Sequence, residues 1–139
     1  MKRILFDTNI VLDVLLDRKP WADASGAVWA LAETGLCEGM LAAHAITTIH
    51  YLLRKESGNP GAKRVISAIL RIFRVASVDG TVLDEALQLP LSDFEDAVTA
   101  AAARIAGCDY IVTRDPKGFR GSLVRPFTPE AVLPLFKKT

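Results

Sequence analysis

The chain has 139 residues, 50% of them hydrophobic and 24% charged, with a formal net charge of +1. That size suits one domain that buries its own core, and the composition excludes a disordered chain. Nothing in the near-neutral total demands a nucleic-acid partner, so the local distribution of charge has to decide that question. One domain spanning 1–139 is expected. Cys37 and Cys108 stand alone with no CxxC pattern, which favours buried thiols in a reducing compartment over a disulfide framework. The opening Met1 to Phe6 meets Asp7 too early for the apolar region of a signal peptide, and no run of about 18 apolar residues is present to cross a bilayer. A cytoplasmic protein without a membrane partner is expected.

Arg3 to Phe6 reads as a short strand that ends in Asp7-Thr8-Asn9. The apolar block Ile10 to Leu16 after it is too long for a second strand and reads as a helix. Pro20 is placed as a first-turn residue of a helix running to Thr34 and stopped by Gly35. Glu38 to Ala42 can form the second strand, and Ile46 to Glu56 carries Ile49, Leu52 and Leu53 at helical spacing until Ser57-Gly58-Asn59-Pro60-Gly61 ends it. A further amphipathic helix is predicted over Ala62 to Phe73, then a strand over Val75 to Val78. Asp79 or Thr81 opens a helix that Leu89-Pro90-Leu91 closes. Ser92, with Glu95 three residues on, has capping-box spacing before an alanine-rich helix to Gly107. Tyr110 to Val112 reads as a strand followed by Thr113-Arg114-Asp115-Pro116, and a last helix begins near Pro129. Strands alternating with helices imply an α/β domain with a mostly parallel sheet.

In such sheets ligands bind beyond the carboxyl ends of the strands. Asp7 and Asp115 fall at that end of their strands, and Asp96 falls in the first turn of a helix. Each alone has an ordinary explanation: Asp7 can cap the next helix, Asp96 and its neighbour Asp93 can serve a helix dipole, and Asp115 can be a turn residue before Pro116. Together they suit a hard divalent cation, because converging carboxylates repel one another unless a cation lies among them. Thr8, Asn9 and Thr113 can hydrogen-bond to the ligating carboxylates or to a metal-bound water, or serve only as cap and turn residues.

The segments Ile4-Leu5-Phe6-Asp7-Thr8-Asn9-Ile10-Val11-Leu12-Asp13, Asp93-Phe94-Glu95-Asp96-Ala97 and Asp109-Tyr110-Ile111-Val112-Thr113-Arg114-Asp115 resemble, in this order, the first strand, the acidic helix start and the final strand of the PIN domain family. Within that family the resemblance is to the VapC-type toxins of toxin-antitoxin pairs. It implies a three-layer α/β/α sandwich and an Mg²⁺- or Mn²⁺-dependent ribonuclease. Asp7, Asp96 and Asp115 are then the catalytic metal-binding acids, with Asp93 as a fourth. It also implies an RNA substrate, a homodimer and an antitoxin that fills the cleft.

One position departs from the family. A glutamate is common on the third helix, where this chain reads Ala45-Ile46-Thr47-Thr48-Ile49-His50-Tyr51. Thr48 stands in its place and can support the site only through a hydroxyl. Asp93 or Glu95 could compensate. His50 could approach the site, although a helix histidine more often serves packing or the surface.

An acidic centre needs cations at its rim to hold a phosphate backbone. Arg114 and Lys117 flank Asp115 and are the foremost candidates; Arg18, Lys19, Arg54, Lys55 and Arg120 follow, and Lys63 and Arg64 read as solvated surface. Trp21 and Trp29 are candidates for a partner surface or for the core. A phosphotransferase of the haloacid dehalogenase kind would want an aspartate where Asn9 stands. A receiver domain would want an acidic pair and a later lysine that are not evident. The stronger alternative is a degenerate PIN domain that binds RNA or protein without cutting.

Overall fold

Residues 1–136 are described by a computed structural model of the chain. Five short strands form one parallel sheet in the order β3-β2-β1-β4-β5: β1 Arg3–Phe6, β2 Glu38–Ala42, β3 Arg74–Ala76, β4 Tyr110–Val112 and β5 Arg125–Phe127. Leu5 lies opposite both Met40 and Ile111, so β1 is central. Parallel strands need long crossovers, and helices supply most of them: α1 Thr8–Leu15 and α2 Ala22–Glu33, then α3 Ala43–Ile72, then α4 Gly80–Gln88 and α5 Phe94–Ile105. A 3₁₀ turn over Pro116–Phe119 precedes β5, and α6 Pro129–Val132 follows it.

Alternation along the strands divides the core in two. Ile4, Phe6, Leu41 and Val112 face one way, into a cluster with Ile10, Val28, Ile49, Ile69 and Phe73 from α1 to α3 and its end. Leu5, Met40, Ala42 and Ile111 face the other way, against Val82 and Ala86 of α4 and the buried alanines of α5. The three-layer sandwich therefore has an aromatic and branched face and a small-residue face. Phe73 is the hinge of the first, edge-on to Phe6 and to Trp29 at 4.9 and 5.1 Å between ring centres. Trp29 thus belongs to the core, whereas Trp21 is 42% exposed. Both cysteines are free and buried, and burial pushes Cys37 up to about 11 and Cys108 up to about 12.

The break expected at Ser57 to Gly61 is present: α3 is two helical segments joined at a kink, where Gly58 leaves the helical conformation with φ of 75°, one that glycine adopts without steric cost. Several expectations are corrected. α2 starts at Ala22 behind Trp21, leaving Pro20 outside the helix. The strand predicted at 75–78 lies at Arg74–Ala76. β5 was not legible, because Pro126 at its centre argues against a strand; it is tolerated because β5 is an edge strand paired only with β4.

Candidate active site

Asp7, Thr113 and the loop after β4 are built from the carboxyl ends of neighbouring strands. The β1–β4 ladder runs on to Asp7, whose N–H donates to Val112 O at 2.9 Å. The Asp7 carboxylate then takes two hydrogen bonds: Oδ1 accepts from Thr8 N and Oδ2 from the Thr113 hydroxyl, each 2.9 Å. Thr113 Oγ1 in turn accepts from Asp115 N at 3.1 Å. One buried threonine therefore ties both strand-end acids together. Asp7 does cap α1, but that employs one oxygen, and the other is held from the adjacent strand.

The third acid arrives on α5. The cap of this helix is Asp93 and not Ser92: Asp93 Oδ1 accepts from Asp96 N at 3.0 Å, and the backbone of Asp93 is extended. Asp93 thus precedes the helix instead of sharing a helical face with Asp96, and part of its hydrogen-bonding capacity goes to the cap. Asp96 and Asp115 meet at Gly118: a β-carbon added there would stand 3.1 Å from Asp96 Oδ2 and 3.2 Å from Asp115 Oδ2. The absence of a side chain at Gly118 leaves the space the two carboxylates share.

Charge and burial act together on this cluster. Burial raises the Asp96 carboxyl to about 6, and the charges of Asp7, Asp93, Glu95 and Asp115 push in the same direction. Burial also raises Asp7, against the pull of its Thr113 and Thr8 hydrogen bonds and of Arg114, with Glu95 pushing upward. These acids share one field. Among the described residues, no three carboxylate, imidazole or thiolate groups stand close enough to form a ready-made cage.

His44, in the first turn of α3 just beyond β2, also feels Glu95 and Asp7, but burial dominates and lowers its pKa. Its Nε2 lies 3.3 Å from Thr99 Oγ1, and that hydroxyl donates to Glu95 O at 3.0 Å. The proton of the pair is therefore assigned to Nε2, which leaves buried Nδ1 as a bare lone pair with no partner among the described residues. The strand-end rule that singles out Asp7 and Asp115 applies equally to His44, whereas the sequence reading weighed only His50.

The remaining candidates divide. Thr48 turns its hydroxyl to His44 O within α3, at 3.4 Å. Asn9 is exposed and accepts from Arg18 Nη1 at 3.1 Å. Arg114 has its charge engaged: Nε is 3.1 Å from Oδ2 of fully buried Asp13, and its guanidinium lies 3.9 Å from the centre of the Trp21 ring. Ser25 donates to the same Asp13 oxygen at 3.2 Å. Lys117, by contrast, is exposed. Another cavity, of about 460 Å³, lies at the opposite end of the sheet between Arg3, Glu38, Phe73 and Arg74. Its charges are already paired with one another, Glu38 bridging Arg3 at 3.1 Å and Arg74 at 2.8 Å, so it is set aside as a site.

A parallel α/β sandwich with acids at the carboxyl edge of its sheet defines a class of fold, and comparison with known proteins names it. The model of the PIN domain matches residues 3–117, so the chain belongs to the PIN domain family. FitAcB from Neisseria gonorrhoeae is similar in fold, with a TM-score of 0.73 and 23% identity over 91% of this chain and 98% of that one. So is a toxin-antitoxin complex from Klebsiella pneumoniae, with a TM-score of 0.68 and 19% identity over 91% and 97%. VapC20 of Mycobacterium tuberculosis, a toxin that cleaves the Sarcin-Ricin loop, aligns with a TM-score of 0.62 and 20% identity over 78% and 86%. No curated protein matches the sequence.

Proposed function

We propose that this protein is an endoribonuclease that hydrolyses RNA phosphodiester bonds with Mg²⁺ or Mn²⁺, and that it is the toxin of a toxin-antitoxin pair. The observation that carries the reading is the meeting of Asp96 and Asp115 around Gly118, with Asp7 held beside Asp115 through Thr113. The donor set is entirely oxygen, which suits a hard cation, and Mg²⁺ is ordinarily held by one or two carboxylates and completed by waters and substrate phosphate, so a closed protein cage is not required. Asp7 and Asp96 would hold the ion, with Asp115 as a third ligand or one acting through water. Asp93 adds negative charge from its cap position. Bound there, the ion supplies a lowered pKa for an attacking water and neutralises charge on the phosphate.

The chain's own residues do the rest. Thr113 fixes the rotamer of Asp7 by donating to Oδ2, and it fixes the Asp115 backbone by accepting its N–H. His44, whose pKa burial lowers, stands near Asp7 and Glu95 as a neutral hydrogen-bonding group, its Nε2 tied to Thr99 and its Nδ1 buried. Lys117 meets the phosphate backbone. Arg114 contributes less, because Asp13 and Trp21 already hold it.

The toxin assignment rests on the toxin and toxin-antitoxin neighbours, and it brings an antitoxin partner, a homodimer and a cytoplasmic setting. No described helix is long and apolar enough to cross a membrane.

A second reading, a degenerate PIN domain that binds RNA or protein without cutting, is favoured by Thr48, whose hydroxyl serves its own helix where the family often has a glutamate. Incubating purified protein with total cellular RNA in Mg²⁺ or Mn²⁺, beside an EDTA control, separates the two. Cleavage that EDTA abolishes is expected. Intact RNA from a protein that still binds Mn²⁺ by calorimetry supports the second reading.

A further inference from the structure

A groove of about 390 Å³ opens beside the acidic cluster, lined by Pro90, Leu91, Ser92, Lys117, Gly118 and Arg120 among others. Gly118 belongs to both places: it lines the groove, and its α-carbon faces the Asp96 and Asp115 carboxylates. The groove is thus continuous with the cluster through the one residue that puts no side chain between them. Its volume falls in the usual range for small-ligand sites, about 300–1,000 Å³.

The lining combines cations with an apolar wall. Lys117 and Arg120 are exposed, and among the described residues neither pairs with a carboxylate. Their charge is therefore free, in contrast to Arg114. Pro90 and Leu91 give an apolar wall on which a ribose or base can rest, and the Ser92 hydroxyl is exposed beside it. The far side is fixed by backbone: Gly121 has φ of 97°, and a β-carbon there would stand 2.7 Å from Pro90 Cγ. A strand of RNA whose scissile phosphate is at Asp96 and Asp115 is repelled by those acids, so the nearest free cations must hold the phosphates beside it.

We propose that this groove is a nucleotide subsite for single-stranded RNA, in which Lys117 and Arg120 take the phosphate next to the scissile one while Pro90 and Leu91 support its sugar or base. The proposal rests on the ribonuclease reading and adds where the chain runs once it leaves the acids. Arg120 becomes a binding residue, and Gly118 the gate between cutting centre and subsite.

The test is binding of a fluorescein-labelled mixed-sequence oligoribonucleotide over a salt series, followed by anisotropy. Lys117→Gln/Arg120→Gln is compared with Lys63→Gln/Arg64→Gln, both in an Asp96→Asn background so that the RNA stays whole. Each phosphate contact on a single strand contributes about 0.7 to the slope of log K against log salt. The groove pair should then lose about 3- to 7-fold less affinity than its parent between 50 and 200 mM salt, with the control pair unchanged. Equal losses in both pairs mean bulk charge and overturn the subsite. An unchanged slope in the groove pair overturns it as well, and the ribonuclease reading survives if the wild type still cuts RNA. A wild type that neither binds nor cuts RNA overturns both.

Discussion

The Asp96 carboxyl dictates how the metal-free protein responds to pH. Unfolded, an aspartate titrates near 3.8, and in the fold this one titrates near 6. Between those values the native state holds a proton that the unfolded chain has released, so stability from this group is full below 3.8 and is lost as pH rises toward 6. Asp96→Asn removes that loss. Without metal at pH 7, thermal unfolding should find the variant more stable by about 1–3 kcal/mol, at 1.36 kcal/mol per pKa unit. Added Mn²⁺ should erase the difference by stabilising the wild type. A less stable metal-free variant at pH 7 contradicts the burial and like-charge repulsion described for this carboxyl. Gly118→Ala tests the same field from the other side. Its β-carbon forces Asp96 and Asp115 to shift by a few tenths of an ångström, so cleavage should fall about 10- to 100-fold with little change in melting temperature, as read from initial rates on one RNA. At this scale Asp7 and Asp115 were legible because strand ends are marked by apolar runs. Gly118 was not, since no pattern marks a glycine whose neighbours come from α5, and His44 was passed over for His50.

Elements hold the site in place through a few contacts that span the chain. The Asp13–Arg114 pair joins α1 to the loop that carries Asp115, and the Arg114 guanidinium covers Trp21 at the start of α2. Arg114→Ala leaves the Asp13 carboxyl fully buried with only Ser25 and the distant Arg18, and denaturant unfolding should show a loss of about 2–4 kcal/mol, below the upper range because Arg114 keeps some solvent contact. A loss within 0.5 kcal/mol would show that the pair is dispensable. β2 makes a similar demand. A β-carbon on Gly39 would stand 2.7 Å from Phe73 Cδ1 and 2.8 Å from Ala32 Cβ, so Gly39→Ala should cost about 1–3 kcal/mol by the same measurement. An unchanged unfolding midpoint would mean that Phe73 and Ala32 yield freely. Helices and strands with strong periodicity were readable at this scale: α6 begins at Pro129, near where the last helix is expected, and of the two candidates to open α4 it is Asp79 that caps it. What failed was local logic overruled by tertiary context, as when Pro126 is accepted in an edge strand.

For the whole molecule, a parallel sheet sends every strand's carboxyl end to one edge, which is why acids distant in sequence can share a field, while at the opposite edge Glu38 is paired with Arg3 and Arg74. That rule put Asp7 and Asp115 at one edge of the sheet before any coordinates. The net charge of +1 gave no hint of a basic groove, because Lys117 and Arg120 become a patch only when the 3₁₀ turn folds beside Pro90. The account stands on Asp7, Asp96 and Asp115 holding one divalent cation. The most direct measurement is Mn²⁺ binding followed by electron paramagnetic resonance, on the wild type and on Asp7→Asn and Asp96→Asn. One Mn²⁺ bound by the wild type, with affinity reduced at least 10-fold in each variant, is the result expected; equal affinity in all three, or none in the wild type, contradicts it.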